Sequence, residues 1–278
     1  MAENCTHNCD TCKVGCDKSS AKFEKLKLSK GSSIKKVIGI SSGKGGVGKT
    51  FVTSMIASLL TKKGYKVGIL DGDIVGPSVP KSFGVVSNGL IGASDDNLII
   101  PPQTPSGIKI ISSALLTQTD GTPIIYRGSL LASLLQQFYT DVLWGELDYL
   151  LIDMPPGTGD IPLTVYQVFP IDGVVLATSP QSLVSMIVEK SINMAKKMNI
   201  NIIGIVENMS YVECPNCREK IKVFGESNIA DICKINDIEL LAQVPLREGY
   251  SKAVDGGMVE SLEIKEFDKV IEKIINIK

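Results

Sequence analysis

The chain has no excess of charge of either sign and no long apolar run. Its 29 basic residues face 30 acidic ones, for a formal net charge of -1, so nothing predicts the broad positive field of a nucleic-acid binder. No apolar stretch approaches the roughly 18 residues that span a bilayer, and the N-terminus lacks the apolar segment of a secretory signal. We therefore expect a cytoplasmic protein that binds neither nucleic acid nor membrane.

Disulfides are not expected in that compartment, because cytosolic thiols stay reduced. The seven cysteines therefore indicate metal ligands before disulfide bridges. They form a cluster of four, a close pair and a singleton, Cys233, whose apolar neighbours favour core packing. The only histidine, His7, lies among the clustered cysteines and is expected to be an exposed bystander.

The length and the hydrophobic content of 44% suit one large α/β domain with a small appendage. Residues 1–36 are expected to be a Cys-rich segment and linker, and residues 37–278 the larger domain. There, nearly continuous apolar runs alternate with helical patterns, which predicts a doubly wound, mostly parallel sheet. Strands are predicted at 37–41, 67–71, 149–153, 173–178, 202–207 and 240–244, and helices at 49–63, 128–143, 183–198, 227–234 and 264–277. Short apolar runs at 98–100 and 108–111 are interpreted as a hairpin.

A glycine-rich run lies between the first predicted strand and the first predicted helix. Successive backbone N–H groups of such a loop can point at a polyphosphate, Lys49 can reach the outer phosphates, and the Thr50 hydroxyl can ligate magnesium. The Lys-Thr pair argues against a merely tight turn. Phosphate binding alone does not require Lys44, the second lysine in the loop. The run comprises Gly43, Lys44, Gly45, Gly46, Val47, Gly48, Lys49 and Thr50.

Carboxylates end two of the predicted strands. Asp153 ends one and can hold magnesium through water, and the glycines after it form a loop that can sense the terminal phosphate. Asp71 and Asp73 end the second strand at the same edge of the sheet, where one of them can orient the attacking water. A strand-end cap or an Asp-Gly turn is the structural alternative.

Cys214 and Cys217 lie in a short polar excursion near residues 210–222. Two thiolates at this spacing can bind one metal centre, yet two ligands are too few for a stable site. The pair could be half of a zinc site, a redox dithiol, or a site completed by a two-fold related copy. The last is favoured if a dimer closes, since no other cysteine pair follows nearby.

The N-terminal cysteines are spaced C-x3-C-x2-C-x3-C. On a straight helix they would extend about 16 Å, too far for one cluster, so the segment must fold back to bind one. A second iron–sulfur site is favoured, with zinc or a metal-free thiol-rich tail as alternatives. The four residues are Cys5, Cys9, Cys12 and Cys16.

With these motifs assembled, the chain resembles the Mrp/ApbC family of iron–sulfur carrier ATPases, relatives of the nitrogenase iron protein and of the MinD division ATPase. The resemblance runs from residue 37 to the C-terminus. It rests on GKGGVGKT at 43–50, LDGDIVGPSVP at 70–80, RGSLLASLLQQF at 127–138, WGELDYLLIDMPPGTGD at 144–160, ENMS at 207–210 and CPNC at 214–217.

The resemblance implies an ATP-dependent homodimer in which Lys44 contacts the nucleotide of the partner subunit. It makes Lys44, Lys49 and Asp73 catalytic, with Asp73 positioning the hydrolytic water. It further implies that Thr50 and Asp153 hold Mg2+ and that Asn208 hydrogen-bonds the adenine.

Four thiolates, two from each subunit, would then bind a [4Fe-4S] cluster at Cys214 and Cys217.

The sequence departs from the family's usual pattern at one position. The family usually has alanine at the position that Gly72 occupies here.

The leading hypothesis is a carrier that binds and hydrolyses ATP slowly and transfers clusters to apo iron–sulfur proteins. One alternative is an electron-transfer ATPase like the nitrogenase iron protein, but its bridging cysteines lie in two separate loops rather than in a CxxC pair. The other is a membrane-positioning switch like MinD. The mixed charges opposite the apolar face of the C-terminal helix favour docking on the domain itself.

Overall fold

The computed structural model describes residues 24–74, 76–85, 92–116 and 128–277. Cys5, Cys9, Cys12 and Cys16 lie outside the described residues, as does His7. The predicted second iron–sulfur site therefore stays a prediction.

The strands of the described residues are β1 (Ser33–Ser42), β2 (Val67–Asp71), β3 (Gly92–Ala93), β4 (Ile99–Ile100), β5 (Lys109–Ile111), β6 (Glu146–Asp153), β7 (Gly173–Thr178), β8 (Ile202–Glu207), β9 (Val212–Glu213), β10 (Lys220–Ile221) and β11 (Leu240–Gln243). Seven of them form the central parallel sheet, in the order β11-β8-β7-β1-β6-β2-β5, and two short antiparallel ladders pair β3 with β4 and β9 with β10.

Helices cover both faces of the sheet. The α-helices in the described parts of the chain are α1 (Lys49–Lys62), α2 (Val79–Ser82), α3 (Gly128–Thr140), α4 (Asp160–Val168), α5 (Ser182–Lys197), α6 (Ile229–Asn236), α7 (Glu248–Asp255) and α8 (Asp268–Ile275). Short 3-10 turns occupy Ser113–Leu115, Val259–Ser261 and Lys265–Phe267.

The two faces carry separate hydrophobic clusters. Met55 of α1 and Ile271 of α8 pack on one face with Ile38 of β1, whereas Phe138 of α3 and Ile192 of α5 pack on the other with Val37. Because neighbouring residues of β1 point to opposite faces, every central strand must be apolar on both sides. The predicted doubly wound α/β fold is confirmed.

Residues 24–32 lie against the domain. Lys25 Nζ donates to the carbonyl of Phe169 at 2.8 Å, Leu26 N–H donates to the carbonyl of Val168 at 2.9 Å, and Ser29 Oγ donates to that of Val142 at 2.7 Å. β1 begins at Ser33, four residues before the predicted strand. The division at residue 36 into a segment and a domain stays a prediction.

The predicted hairpin of 98–100 with 108–111 is wrong. β4 pairs with β3, and β5 joins the main sheet parallel to β2. Three α-helices, α2, α4 and α7, were also not predicted. The reason is local: β5 is only three residues long, and the Gly-, Pro- and Ser-rich sequence around it lacks a strand period.

The predicted C-terminal helix is a 3-10 turn followed by α8, and its apolar side is buried. Val270, Ile271 and Ile274 are each 1% exposed or less. This confirms that the helix docks on its own domain. Among the described residues, no helix is long and apolar enough to cross a membrane.

A contact between two glycines fixes the end of α7 against the end of α2. Both adopt positive φ, +66° at Gly84 and +69° at Gly257, and a Cβ on Gly257 would lie 2.5 Å from the Cα of Gly84. Any side chain here clashes with backbone and also requires a left-handed conformation.

We expect Gly257→Ala to lower the free energy of unfolding by about 2–4 kcal/mol, the sum of the conformational and steric costs. Urea denaturation followed by circular dichroism measures the change. The matched control is Gly249→Ala in α7, where a Cβ meets nothing within 4 Å. Equal denaturation midpoints for the two variants would contradict the packing described.

Candidate nucleotide and metal site

The glycine-rich loop joins β1 to α1 at the carboxyl edge of the sheet. Gly46 and Gly48 have φ of +78° and +79°, and a Cβ on Gly48 would lie 2.1 Å from the side-chain nitrogen of Asn208. Gly43 is equally confined, because its Cβ would lie 2.8 Å from the carbonyl oxygen of Ile187. Gly43 and Gly48 therefore occupy positions without room for a side chain, and the positive φ of Gly46 and Gly48 lets the loop turn into α1, the arrangement of a phosphate-binding loop.

A buried ion pair lies behind the loop. Lys49 Nζ is 2.8 Å from Asp153 Oδ1, and the two side chains are 6% and 0% exposed. The Lys49 ammonium nevertheless makes no hydrogen bond of good geometry with the described residues. A buried cation with free donors at a helix N-terminus is suited to a polyphosphate.

Asp153 also accepts two hydroxyl hydrogen bonds. Thr50 Oγ1 donates to Oδ2 at 2.8 Å and Thr53 Oγ1 donates to Oδ1 at 2.7 Å, while Ser78 Oγ donates to Thr50 Oγ1 at 2.9 Å. Oxygen donors of this kind, a hydroxyl beside a carboxylate, are the ligands that Mg2+ takes next to phosphates. The predicted pair of Thr50 and Asp153 fits a magnesium ion.

Asp71 lies opposite Asp153 in the register of β2 and β6 and is fully buried. Ser112 Oγ donates to its Oδ2 at 2.9 Å, and the Asp73 N–H donates to its Oδ1 at 3.2 Å. Burial, and then the charge of Asp153, raises the pKa of Asp71 to about 7. Asp71 holds the turn that presents Asp73.

Asp73 is half-buried, and burial raises its pKa, with Lys49 opposing that shift. The sheet thus brings Lys49, Asp73 and Asp153 to one edge, as the sequence predicts. A Cβ at Gly72 would lie 2.9 Å from the carbonyl oxygen of Asp153, which fits the glycine found there.

Lys44 points away from this cluster. It is exposed, and its Nζ donates to Gln181 Oε1 at 3.3 Å. The lysine that the resemblance assigns to a partner subunit is therefore available at the surface.

A cavity of about 230 Å³ opens beside the loop. It is lined by Gly48, Phe51, Asn208, Met209, Pro245, Leu246, Arg247, Tyr250, Ser251, Val254 and Asp255. Asn208 reaches both features, since its Nδ2 donates to the carbonyl of Val47 at 3.0 Å. Its place between loop and cavity fits the predicted contact with a nucleotide base, although here its amide bonds the loop itself.

The cysteine pair lies on a small hairpin formed by β9 and β10. Cys214 is half-buried and Cys217 exposed. The backbone N–H groups of Cys217 and then Asn216 hold the pKa of the Cys214 thiol below its ordinary value, which favours the thiolate that metals bind. No group of three or more His, Cys, Asp or Glu suited to a metal ion occurs among the described residues, so the metal site predicted at Cys214 and Cys217 stays a prediction.

Glu207, which the sequence analysis did not identify as a site residue, anchors that hairpin. It is fully buried at the end of β8 and accepts hydrogen bonds from Ser210 Oγ at 2.5 Å, from Gln243 Nε2 at 2.8 Å and from Ser227 Oγ. Ser210 precedes the hairpin and Ser227 follows it. One carboxylate therefore holds both ends of the excursion.

Cys233 is core packing, as predicted. Its side chain is 4% exposed, and burial together with the charge of Glu207 raises the pKa of its thiol to about 11. Such a thiol is neutral and unreactive at physiological pH.

Residues 33–277 match the family model described as the NUBPL iron-transfer P-loop NTPase. The chain belongs to this family. A relative named iron–sulfur cluster carrier protein, from Clostridium perfringens, is 46% identical over 82% of this chain and 81% of its own length. Another of that name, from Methanococcus maripaludis, is 41% identical over 99% of this chain and 98% of its own. These matches confirm the resemblance inferred from the motifs.

Solved structures of similar fold include a protein of comparable sequence identity. A nucleotide-binding protein from Archaeoglobus fulgidus in complex with ADP superposes with a TM-score of 0.75 at 42% identity, over 84% of this chain and 91% of that one. The cell-division ATPase MinD of Pyrococcus furiosus superposes with a TM-score of 0.61 over 88% of this chain and 100% of that one, but at 20% identity it shares the fold alone. Membership assigns nucleotide hydrolysis to the chain in general terms.

We expect Glu207→Ala to lower the free energy of unfolding by about 2–4 kcal/mol, because three donors lose the buried carboxylate that accepts their hydrogen bonds. Thermal or urea denaturation measures it. Glu226→Ala is the control, since it removes an exposed carboxylate of the same segment whose ion pair within the described residues is with Lys222, and it should change stability by less than about 0.5 kcal/mol. Similar effects of the two variants would show that Glu207 anchors nothing.

Proposed function

We propose that the protein is an ATP-dependent iron–sulfur cluster carrier that works in the cytoplasm as a homodimer and delivers [4Fe-4S] clusters to apoproteins. The single observation that carries the proposal is the half-complete thiolate site at Cys214 and Cys217 in a chain of the iron-transfer P-loop NTPase family. Relatives bearing the name iron–sulfur cluster carrier protein support it.

ATP binds with its phosphates in the loop of residues 43–50 and its base in the adjoining cavity. The phosphates take the free donors of Lys49, which gives up part of its pairing with Asp153. Thr50 and Asp153 then hold Mg2+, which supplies charge neutralisation at the phosphates. Asn208 orients the base from between loop and cavity.

Hydrolysis needs a water aligned with the terminal phosphate and a cation to stabilise the developing charge. Asp73 orients the water from the end of β2. Lys44, exposed on the loop, supplies its charge to the nucleotide of the partner subunit, so that catalysis depends on assembly. We infer a slow turnover that is coupled to cluster binding or release.

The cluster is cargo held between two subunits. Each subunit provides Cys214 and Cys217, and four thiolates match the ligand number of a [4Fe-4S] cluster. An electron-transfer ATPase would hold its cluster through two separate loops, whereas here both thiols belong to one hairpin. The four N-terminal cysteines form a second cluster site in this proposal.

Mixed dimers test whether Lys44 acts across the interface. A dimer of Lys44→Ala with Asp73→Asn retains one complete site if Lys44 serves the partner, and we expect about half of the wild-type ATPase rate. A dimer of wild type with the double variant carries the same substitutions but then has no complete site, and we expect a loss of at least about 100-fold.

The two mixed dimers are separated by different affinity tags and compared by phosphate release. The reverse ranking would place Lys44 in its own site and remove the need for a dimer. Lys81→Ala is the control for loss of a surface charge and should leave the rate unchanged.

Iron and acid-labile sulfide analysis under anaerobic conditions tests the cluster site. In a chain lacking residues 1–20, so that only the hairpin site is counted, we expect about four iron and four sulfide per dimer. Cys214→Ser and Cys217→Ser should each abolish the cluster, and Cys233→Ala should retain it. Zinc alone at the hairpin, or a chain that stays monomeric with cluster and nucleotide, would overturn the proposal.

A further inference from the structure

Three side chains stack between the phosphate loop and the cysteine hairpin. Phe51 follows Thr50 in α1, and its ring lies 5.6 Å from that of Tyr250, with 24° between the planes. The guanidinium of Arg247 lies 5.7 Å from the centroid of the same tyrosine ring. Both distances are in the range of stabilising aromatic and cation–π contacts.

The stack continues into the hairpin through an ion pair. Arg247 Nη2 lies 3.0 Å from Glu213 Oε2, and Glu213 is the residue before Cys214. A backbone hydrogen bond runs alongside, from the Leu246 N–H to the carbonyl of Tyr211 at 2.7 Å. The start of α7 and the first strand of the hairpin are thus joined by charge and by backbone.

The residues of this connection are also the walls of the base cavity. Phe51, Leu246, Arg247 and Tyr250 all line it. A base in the cavity would therefore contact the stacked side chains directly. A change in the position of Arg247 would then alter its ion pair with Glu213.

We propose that Arg247 and Glu213 are positioning residues that link occupancy of the base cavity to the presentation of Cys214 and Cys217. The link rests on the function proposed above, to which it adds a route for regulation of the cysteine site by nucleotide. When a nucleoside diphosphate fills the cavity, it fixes Tyr250 and Arg247, and the ion pair with Glu213 then restrains the hairpin.

The size of the effect follows from the exposure of the pair. Arg247 and Glu213 are 46% and 35% exposed, and exposed ion pairs couple weakly, so we expect a change of about two- to fivefold in hairpin accessibility. Glu266 also acts electrostatically on Arg247. It can replace Glu213 in part, which makes Arg247→Met the sharper variant.

The experiment uses the full chain, reduced and freed of cluster. Alkylation of Cys214 and Cys217 by a maleimide is followed by peptide mass spectrometry, with and without saturating Mg-ADP. In the wild type we expect ADP to slow alkylation about two- to fivefold. Arg247→Met should reduce that ratio to below about 1.5-fold, and Tyr250→Ala should do the same.

Lys252→Met is the matched control. It removes a lysine from the same helix that pairs with Glu248 and not with the hairpin, and its ratio should equal that of the wild type. A wild-type ratio of one or an acceleration by ADP overturns the link, as does a wild-type ratio in Arg247→Met.

Because no cluster is needed, these outcomes are independent of the metal analysis. A chain that binds clusters but shows no ADP effect refutes the link alone. A chain that shows the effect but binds no cluster refutes the carrier function, and the link then concerns the thiols themselves.

Discussion

The buried pair of Lys49 and Asp153 is the interaction on which the site depends. Both charges are withdrawn from water, and such a pair contributes little net stability, because desolvation offsets most of the attraction. Removing either partner would leave an uncompensated buried charge, which costs far more. The pair is therefore better understood as a functional arrangement, in which phosphate oxygens can share the ammonium with Asp153 while the Thr50 and Thr53 hydroxyls continue to hydrogen-bond the carboxylate.

The parallel sheet is what makes this pair possible. Asp71 and Asp153 end the adjacent strands β2 and β6 in register. The loop that carries Lys49 follows β1, which pairs with the other edge of β6. Carboxyl ends of parallel strands meet at one edge, so residues 100 and 103 positions apart in the chain come within hydrogen-bonding distance. Helices pack on the two faces of the sheet, and Asp71 and Asp153 are fully buried below the loop.

Much of this could be predicted from the sequence, for physical reasons that differ by residue. The glycine-rich loop, Asp73 and Asp153 each follow a predicted strand directly, so a short stretch of sequence is enough to predict their place at the edge of the sheet. Glu207 could not be found this way, because its three partners are scattered between residues 210 and 243 and only the fold collects them. The α4 helix was not predicted because Pro162 lies near its start. Proline is tolerated in the first turn of a helix, but in a sequence it usually indicates a loop. The tight contact around Gly72 is likewise tertiary, since it involves the backbone of β6.

The two serines that flank the cysteine hairpin bind the same carboxylate, at the tip of a strand that is complete without them. The first and the last residue of the hairpin segment are thus held by the same side chain, Glu207. Because β9 and β10 form a two-stranded sheet of their own, a change in this one connection would leave every strand of the main sheet with its neighbours.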